Sequence, residues 1–337
     1  MESYVADIAY EAVDKGVFAS RPSSYSPFSD GLSGANVGMV EFEDGTKAVY
    51  KGGPLDEIAG EVRNYGEWEK YNPAAVPKVF YSKKEGDDRC SFLMEYIESP
   101  NLHELYTQKP EEGRTGTLKA VDELAKSYER SKMSACPVDN YLDKITRKVK
   151  QSAEKHEEIA DLLKYDTIAI NGKEYTNPLK MVEELEKHNH RYKAPFATLT
   201  HGDLHARNIH YDQGTGRTYL IDPEKTRFGD YAADVGRLLA TTTCNYTQIE
   251  SASAKDGNID YQSSLDDYFK NIISDVERKF DNFAEDNFDR GFHDRLELSR
   301  ASAKFVLPAF SDDKEFSFVS FGEGVKLLDE VYQNTKK

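Results

Sequence analysis

Between Leu199 and Leu239 the chain reads LTHGDLHARNIHYDQGTGRTYLIDPEKTRFGDYAADVGRLL, and three polar residues in it stand at spacings that one chemistry requires. Asp203 and Asn208 are separated by four residues, in a loop that follows an apolar approach and enters a strand. Asp222 ends the strand that returns. A carboxylate able to align an attacking hydroxyl, followed by an amide oxygen and a second carboxylate suited to a hard cation such as magnesium, is the set that phosphoryl transfer uses.

These residues must be positioned by the elements around them. Asn208 to Tyr211 and Thr218 to Ile221 read as two short strands joined by the turn formers Asp212 to Arg217, and such a hairpin brings Asn208 and Asp222 together. Towards the N-terminus, Tyr4, Ile8, Ala9, Ala12 and Val13 recur at helical spacing. Gly31, Gly34 and Gly38 punctuate the next segment, where backbone can approach a ligand closely. Met39 to Phe42, the turn Glu43-Asp44-Gly45 and Lys47 to Lys51 then read as a β-hairpin. A helix is predicted from Pro54 and Asp56 to about Tyr71, with Ile58, Val62, Tyr65 and Trp68 as its apolar face. Measured from Ile58 at about 100° per residue, Glu61 falls at about 300°, inside that face. An inward carboxylate requires a cation. Val76 to Tyr81 and Cys90 to Ile97 complete a small antiparallel sheet with one inserted helix.

From Glu98 the pattern changes to helical segments, Leu118 to Arg130, Leu142 to Lys164 and Leu179 to His188, interrupted by polar loops such as Lys109 to Thr117. Phe321 to Lys337 reads as a last helix. The expected architecture is therefore α+β, with a nucleotide-binding N-lobe over residues 1–97. Residues 98–337 form a larger, mostly helical C-lobe holding the catalytic loop, the metal site and substrate-binding helices.

In these motifs the sequence resembles the aminoglycoside phosphotransferase and choline kinase superfamily, relatives of the protein kinases. The resemblance rests on His201-Gly202-Asp203 with Asn208, Ile221-Asp222 with Glu224, and Gly229-Asp230 with Asp234, and it covers most of the chain. It implies a bilobal protein-kinase-like fold. It also implies that Asp203 orients or deprotonates an acceptor hydroxyl, that Asn208 and Asp222 hold magnesium, and that His201 and Asp234 brace the loop. Lys51, ending Ala48-Val49-Tyr50-Lys51, stands where the family has its phosphate-binding lysine, with Glu61 as partner. The segment Gly31 to Gly38, Ser33 and Gly34 included, would cover the phosphates through backbone N–H groups, although it departs from GxGxxG. Phe92 to Ile97 resembles the strand and hinge that grip adenine, with main-chain groups of Glu95 and Ile97 as the hydrogen-bonding partners.

The implied function is transfer of the γ-phosphoryl group of ATP, with Mg2+, to a hydroxyl of a metabolite or antibiotic. The alternative from another class is a nucleotide-binding pseudokinase scaffold without transfer. A protein kinase fits less well: Gly202 occupies the place of the loop arginine, Pro223-Glu224 follows Asp222, and no Ala-Pro-Glu comes after. Glu224 reads either as a second metal contact or as a loop cap, and Arg207 as a phosphate contact or the partner of a carboxylate. His201, His205 and His210 offer imidazoles, but a loop running into a strand does not put all three on one face.

Composition sets the outer bounds. The chain has 337 residues, mean hydropathy −0.71 and net charge −16, which argues against binding nucleic acid or an anionic membrane through phosphate neutralisation. No basic, apolar leader or long apolar run is present, and three cysteines without a CxxC pair suggest neither a disulfide framework nor zinc. A cytoplasmic location is expected. Lys255 to Glu297 carries 12 acidic and 6 basic residues, read either as a solvated helical face or as a wall for a cationic substrate.

Overall fold

A computed structural model describes residues 3–28, 35–134, 140–223 and 225–336. In chain order the elements are α1 (Ser3–Asp14), β1 (Pro22–Pro27), β2 (Asn36–Phe42), β3 (Lys47–Pro54), α2 (Leu55–Tyr71), β4 (Val79–Glu85), β5 (Arg89–Glu95), α3 (Leu102–Gln108) and α4 (Pro110–Ser131). There follow α5 (Tyr141–Lys155), α6 (Glu157–Leu162), β6 (Thr167–Ile170), β7 (Lys173–Thr176), α7 (Pro178–Glu186), β8 (Thr198–Thr200), β9 (Ile209–Asp212), β10 (Arg217–Leu220) and β11 (Arg227–Gly229). The last are α8 (Tyr231–Tyr246), β12 (Thr247–Lys255), β13 (Asn258–Leu265), α9 (Asp267–Asp286), α10 (Phe292–Phe310) and α11 (Lys314–Thr335). Gly31, Ser33, Gly34 and Glu224 lie outside the described residues.

By Cα proximity the chain divides into two compact units. The first comprises Met1–Arg130, His201–Asp203 and Arg207–Arg227. Its five-stranded antiparallel sheet runs β1-β2-β3-β5-β4. Val5, Ile8, Ala9 and Ala12 of α1 pack with Val40, Phe42, Ala48, Tyr50 and Leu93 in one apolar cluster, the arrangement that their helical spacing requires. On α2 the buried residues are Ile58, Glu61, Tyr65 and Trp68. Val62, expected inside, is only half-buried, so the carboxylate and not the valine occupies the middle of that face. The β9–β10 hairpin pairs Leu220 with Ile209 and Arg217 with Asp212. It is tied in by Leu220 N–H to the Ala75 carbonyl at 2.7 Å and Tyr211 N–H to the Pro100 carbonyl at 3.1 Å.

Several expected boundaries move. Lys109 to Thr117, read as a polar loop, is largely the start of α4. Pro110 begins it without needing an N–H partner, and the Thr115 and Thr117 hydroxyls bond back to the carbonyls of Glu111 and Gly113 at 2.9 and 2.8 Å, which satisfies polar side chains inside a helix. Leu142 to Lys164 breaks at buried His156, whose backbone is extended and whose Nε2 meets the Pro308 carbonyl at 2.9 Å. The last helix starts at Lys314, one and a half turns or more before the apolar periodicity reveals it.

The second unit comprises Ser131–Thr200, Leu204–Ala206 and Phe228–Lys337. Helices α5, α8 and α11 each pack on α10, and Ile145, Val149, Phe305, Phe321, Val325 and Leu328 are among the buried residues of its core. A four-stranded sheet in the order β12-β13-β6-β7 was not expected. Its strands are short or alternate polar residues with Ile and Tyr, as in Asn258 to Leu265, so within an acidic stretch the period of two is masked. The segment Lys255 to Glu297 is thus not one solvated helical face, because it starts with this hairpin and ends in buried ion pairs.

Those pairs centre on Arg295, which is fully buried and donates to Asp230 at 2.6 Å and to both oxygens of Asp289 at 3.0 and 2.5 Å. Tyr141 and Tyr231 donate to the same two carboxylates at 2.7 and 2.8 Å. Burial alone would push the guanidinium down, but the Asp230 and Asp289 charges outweigh it and hold it above its ordinary value. Removing one partner of such a network leaves uncompensated buried charge. Arg295→Leu should therefore cost about 3–5 kcal/mol in equilibrium urea denaturation, and a loss below about 1 kcal/mol would contradict this reading.

Candidate active site

Lys51 on β3 is 4% exposed, and Glu61 on α2 is 1% exposed. Their charged atoms lie 2.7 Å apart, and the Lys51 ammonium also reaches Asp222 Oδ1 at 3.0 Å. Burial alone would push the lysine down, but the Glu61 and Asp222 charges prevail and hold it well above its ordinary value, so it stays charged. The carboxylate found inside the α2 stripe by helical angle is therefore the one that meets the lysine.

Helix α2 does more than supply Glu61. Asn64 donates to the Pro223 carbonyl at 2.7 Å, the Tyr65 hydroxyl accepts the Asp222 N–H at 3.1 Å, and the Trp68 indole donates to Thr226 Oγ1 at 2.9 Å. Residues 61, 64, 65 and 68 share one helical face, and that face grips both Lys51 and the segment after β10. Sequence reading treated Tyr65 and Trp68 as core and passed over Asn64. The available signal was that tyrosine and tryptophan carry a polar tip that needs a partner when buried.

Asp222 has φ +56°, a conformation uncommon for residues other than glycine. The Tyr65 bond to its N–H helps hold it there while Oδ1 turns to Lys51. Its side chain is 41% exposed, and no described residue takes Oδ2.

His201, fully buried, joins the loop to the hairpin. Its Nδ1 accepts the Asp203 N–H at 3.3 Å, so Nε2 carries the proton that it gives to the Ile221 carbonyl at 2.8 Å. Asn208 donates its amide nitrogen to the Asp203 carbonyl at 3.1 Å and accepts the Ile221 N–H on its backbone carbonyl at 3.0 Å. Its Oδ1 is thereby the atom left for a ligand. One amide oxygen and one carboxylate oxygen form a hard donor pair that fits magnesium, which keeps most of its shell as water and phosphate oxygens. Among the described residues no group of three or more His, Cys, Asp or Glu is arranged to hold a metal, and His201 and His210 are turned to the carbonyls of Ile221 and Ser99.

Gly202 has φ +82°, and a Cβ there would lie 2.4 Å from the Lys225 carbonyl oxygen. The position taken by arginine in protein kinases is thus closed here to any side chain. The Lys225 ammonium meets Asp203 Oδ2 at 2.9 Å, a neighbour that the sequence did not reveal. Arg207 stands 2.9 Å from His103 Nε2, so the expected carboxylate partner is a histidine ring instead. Asp234 is buried in the first turn of α8. At the end of β5 the Glu95 N–H is given to the Lys78 carbonyl at 2.8 Å, while Ile97 lies just beyond the strand. Ser33 and Gly34, the expected phosphate-covering residues, are outside the described residues.

Solved structures share this fold across nearly the whole chain. A thermostable mutant of aminoglycoside phosphotransferase APH(4)-Ia, in ternary complex with ADP and hygromycin B, has TM-score 0.55 and 12% identity over 98% of this chain and 99% of its own. Amicoumacin kinase hAmiN, in complex with AMP-PNP, Ca2+ and Ami, gives 0.52 and 14% over 99% and 97%. A Plasmodium vivax ethanolamine kinase gives 0.53 and 11% over 92% and 84%. No curated protein sequence matches the chain. At these identities the likeness is one of fold, and it bears out the α+β, bilobal kinase-like architecture expected from the sequence. The profile of the phosphotransferase enzyme family (APH) matches residues 33–267, and with well over half of its length covered the chain belongs to that family.

Proposed function

We propose that this phosphotransferase is a small-molecule kinase that moves the γ-phosphoryl group of ATP to an alcohol of a metabolite or antibiotic. The observation that carries the proposal is the buried Lys51 ammonium held between Glu61 and Asp222, the ion-pair arrangement that catalysis in kinase-like folds requires. Lys51 orients the nucleotide phosphates. Asn208 and Asp222 are the residues suited to hold magnesium, which when bound supplies positive charge against the phosphate oxygens.

Asp203 accepts or aligns the proton of the acceptor hydroxyl for in-line attack, and Lys225 fixes its carboxylate at Oδ2. His201 and Asn208 hold the Asp203 backbone in place. Most of the rate then comes from position and fixed charge. The adenine is proposed to meet main-chain groups of Glu95 and Ile97. Because the Glu95 N–H is already given to Lys78, a base at that position would use the Glu95 carbonyl. Net charge −16 raises the local concentration of cationic acceptors. The ligands named for solved structures of this fold, hygromycin B and amicoumacin among them, support a small-molecule acceptor. Buried thiols at Cys90 and Cys244 are compatible with a reducing cytoplasm. No helix among the described residues is long and apolar enough to cross a membrane.

The test is incubation with MgATP and pooled alcohols, amino-alcohols and aminoglycosides, followed by mass spectrometry for phosphorylated products. Asp203→Ala should bind MgATP as the wild type does and lose about 10²–10⁴ in kcat, whereas Asp222→Ala should weaken nucleotide binding only when magnesium is present. Full transfer by either variant would refute the assignment. Lys225→Met should lower kcat about fivefold with nucleotide affinity unchanged, the modest size expected of an exposed ion pair; unchanged kcat would remove Lys225 from the mechanism.

A further inference from the structure

In the second unit, remote along α8 from its Asp230 end, a partly open cavity of about 150 Å³ is lined by the α8 C-terminus, the β12–β13 hairpin, α10 and α11. Lys304 of α10 lines it and is 5% exposed. No described residue accepts a hydrogen bond from its ammonium or stands within ion-pairing distance of it. Glu323, the carboxylate of the lining, feels the Lys304 charge but already takes the Tyr261 hydroxyl and, at 3.0 Å, the Lys326 ammonium. The Lys304 ammonium is thus the cation of the lining that no described residue contacts directly, within a residue that is 5% exposed, and a buried charge is best satisfied by an opposite one.

The remaining polar groups define what could satisfy it. Pro308 has no N–H to give the Lys304 carbonyl one helical turn back, and the Ser320 hydroxyl donates to that carbonyl instead, at 2.8 Å. Thr243 and Thr247 give their protons to the carbonyls of Leu239 and Thr243 at 2.8 and 2.7 Å. These three hydroxyls therefore offer the cavity lone pairs and no protons. The cavity presents the Lys304 ammonium as its cation, the Ser263 hydroxyl as a further donor or acceptor, several acceptor oxygens, and apolar wall from Leu265, Phe316 and Val319.

We propose that this cavity is a binding site for a small monocarboxylate carrying a hydroxyl or ammonium group, separate from the phosphotransfer site. The carboxylate pairs with Lys304, the ligand's own donor meets the threonine and serine oxygens, and a short carbon stem lies on the apolar wall. One lysine beside an acidic neighbour suits a single negative charge better than the double charge of phosphate. A space of this size admits about ten non-hydrogen atoms.

The probe is 4,4,4-trifluoro-3-hydroxybutyrate, followed by fluorine NMR with the full-length protein. Saturable binding is expected, displaced by unlabelled 3-hydroxybutyrate and matched by neither trifluoropropan-2-ol nor inorganic phosphate. Lys304→Met, which replaces an unpaired buried ammonium with an apolar side chain of similar length, should remain folded and bind MgATP normally while losing at least tenfold in affinity for the probe. Leu265→Trp, on the hairpin wall, should lose affinity likewise. No saturable binding, equal binding of the neutral alcohol, stronger displacement by phosphate than by carboxylate, or full affinity in the folded Lys304→Met protein would each overturn the proposal.

Discussion

An ammonium removed from water must find negative charge, and the site described here follows from that single requirement at Lys51. Its residue is 4% exposed, so without partners it would lose its proton or unfold the strand that carries it. Glu61 and Asp222 supply the charge from two different elements. Satisfying the lysine therefore fixes the rotation of α2 about its axis and the path of the chain after β10 at the same time. The pairing stabilises less than its Coulomb energy suggests, since both charges of the Lys51–Glu61 pair are desolvated. Its value lies in specifying one arrangement.

Once the rotation of α2 is set, the rest of its face follows at helical spacing. Glu61, Asn64, Tyr65 and Trp68 fall within about two turns and grip Lys51, Pro223, Asp222 and Thr226 respectively. The strained backbone at Asp222 is held by this grip, as sparsely populated conformations at functional sites generally require. In the loop that leads into the hairpin, His201 and Asn208 use one donor and one acceptor each to tie the Asp203 backbone to Ile221. The oxygens left over at Asn208 and Asp222 are those suited to a hard cation.

The second unit solves the same problem in two ways. Around Arg295 the Asp230 and Asp289 carboxylates each also accept a hydrogen bond from a tyrosine hydroxyl, so the buried charges are paired and hydrogen-bonded. Around Lys304 no such set is present among the described residues. The contrast between two buried cations on one helix, one fully partnered and one facing a cavity, singles out the latter as a place where a ligand supplies what the fold does not.

Much of the site was legible before any coordinates. The spacing Asp203 to Asn208, the return to Asp222, and the helical angle that put Glu61 inside are properties of the linear sequence, because hairpins and helices have fixed periods. What the sequence hid were elements whose patterns are weak or mixed. Lys109 to Thr117 looked like a loop because its threonines and glycines disfavour helix, yet the threonine hydroxyls bond to the helix's own carbonyls and Gly116 lets α4 come close to Leu102 and Tyr211. The β6–β7 and β12–β13 strands are short or polar on alternate positions, and their pairing joins segments some ninety residues apart, as between Asn258 and Ala169.

The sequence alone carried the motifs of the phosphotransferase family and the helical position of the carboxylate that meets the lysine, since both depend on local spacing. Tertiary structure decided that Lys225 stands against Asp203, that the tips of Asn64, Tyr65 and Trp68 hold the segment after β10, and that Lys304 lines a cavity. These are contacts between distant parts of the chain, chosen by burial and by the need of each buried polar group for a partner, and no local period encodes them.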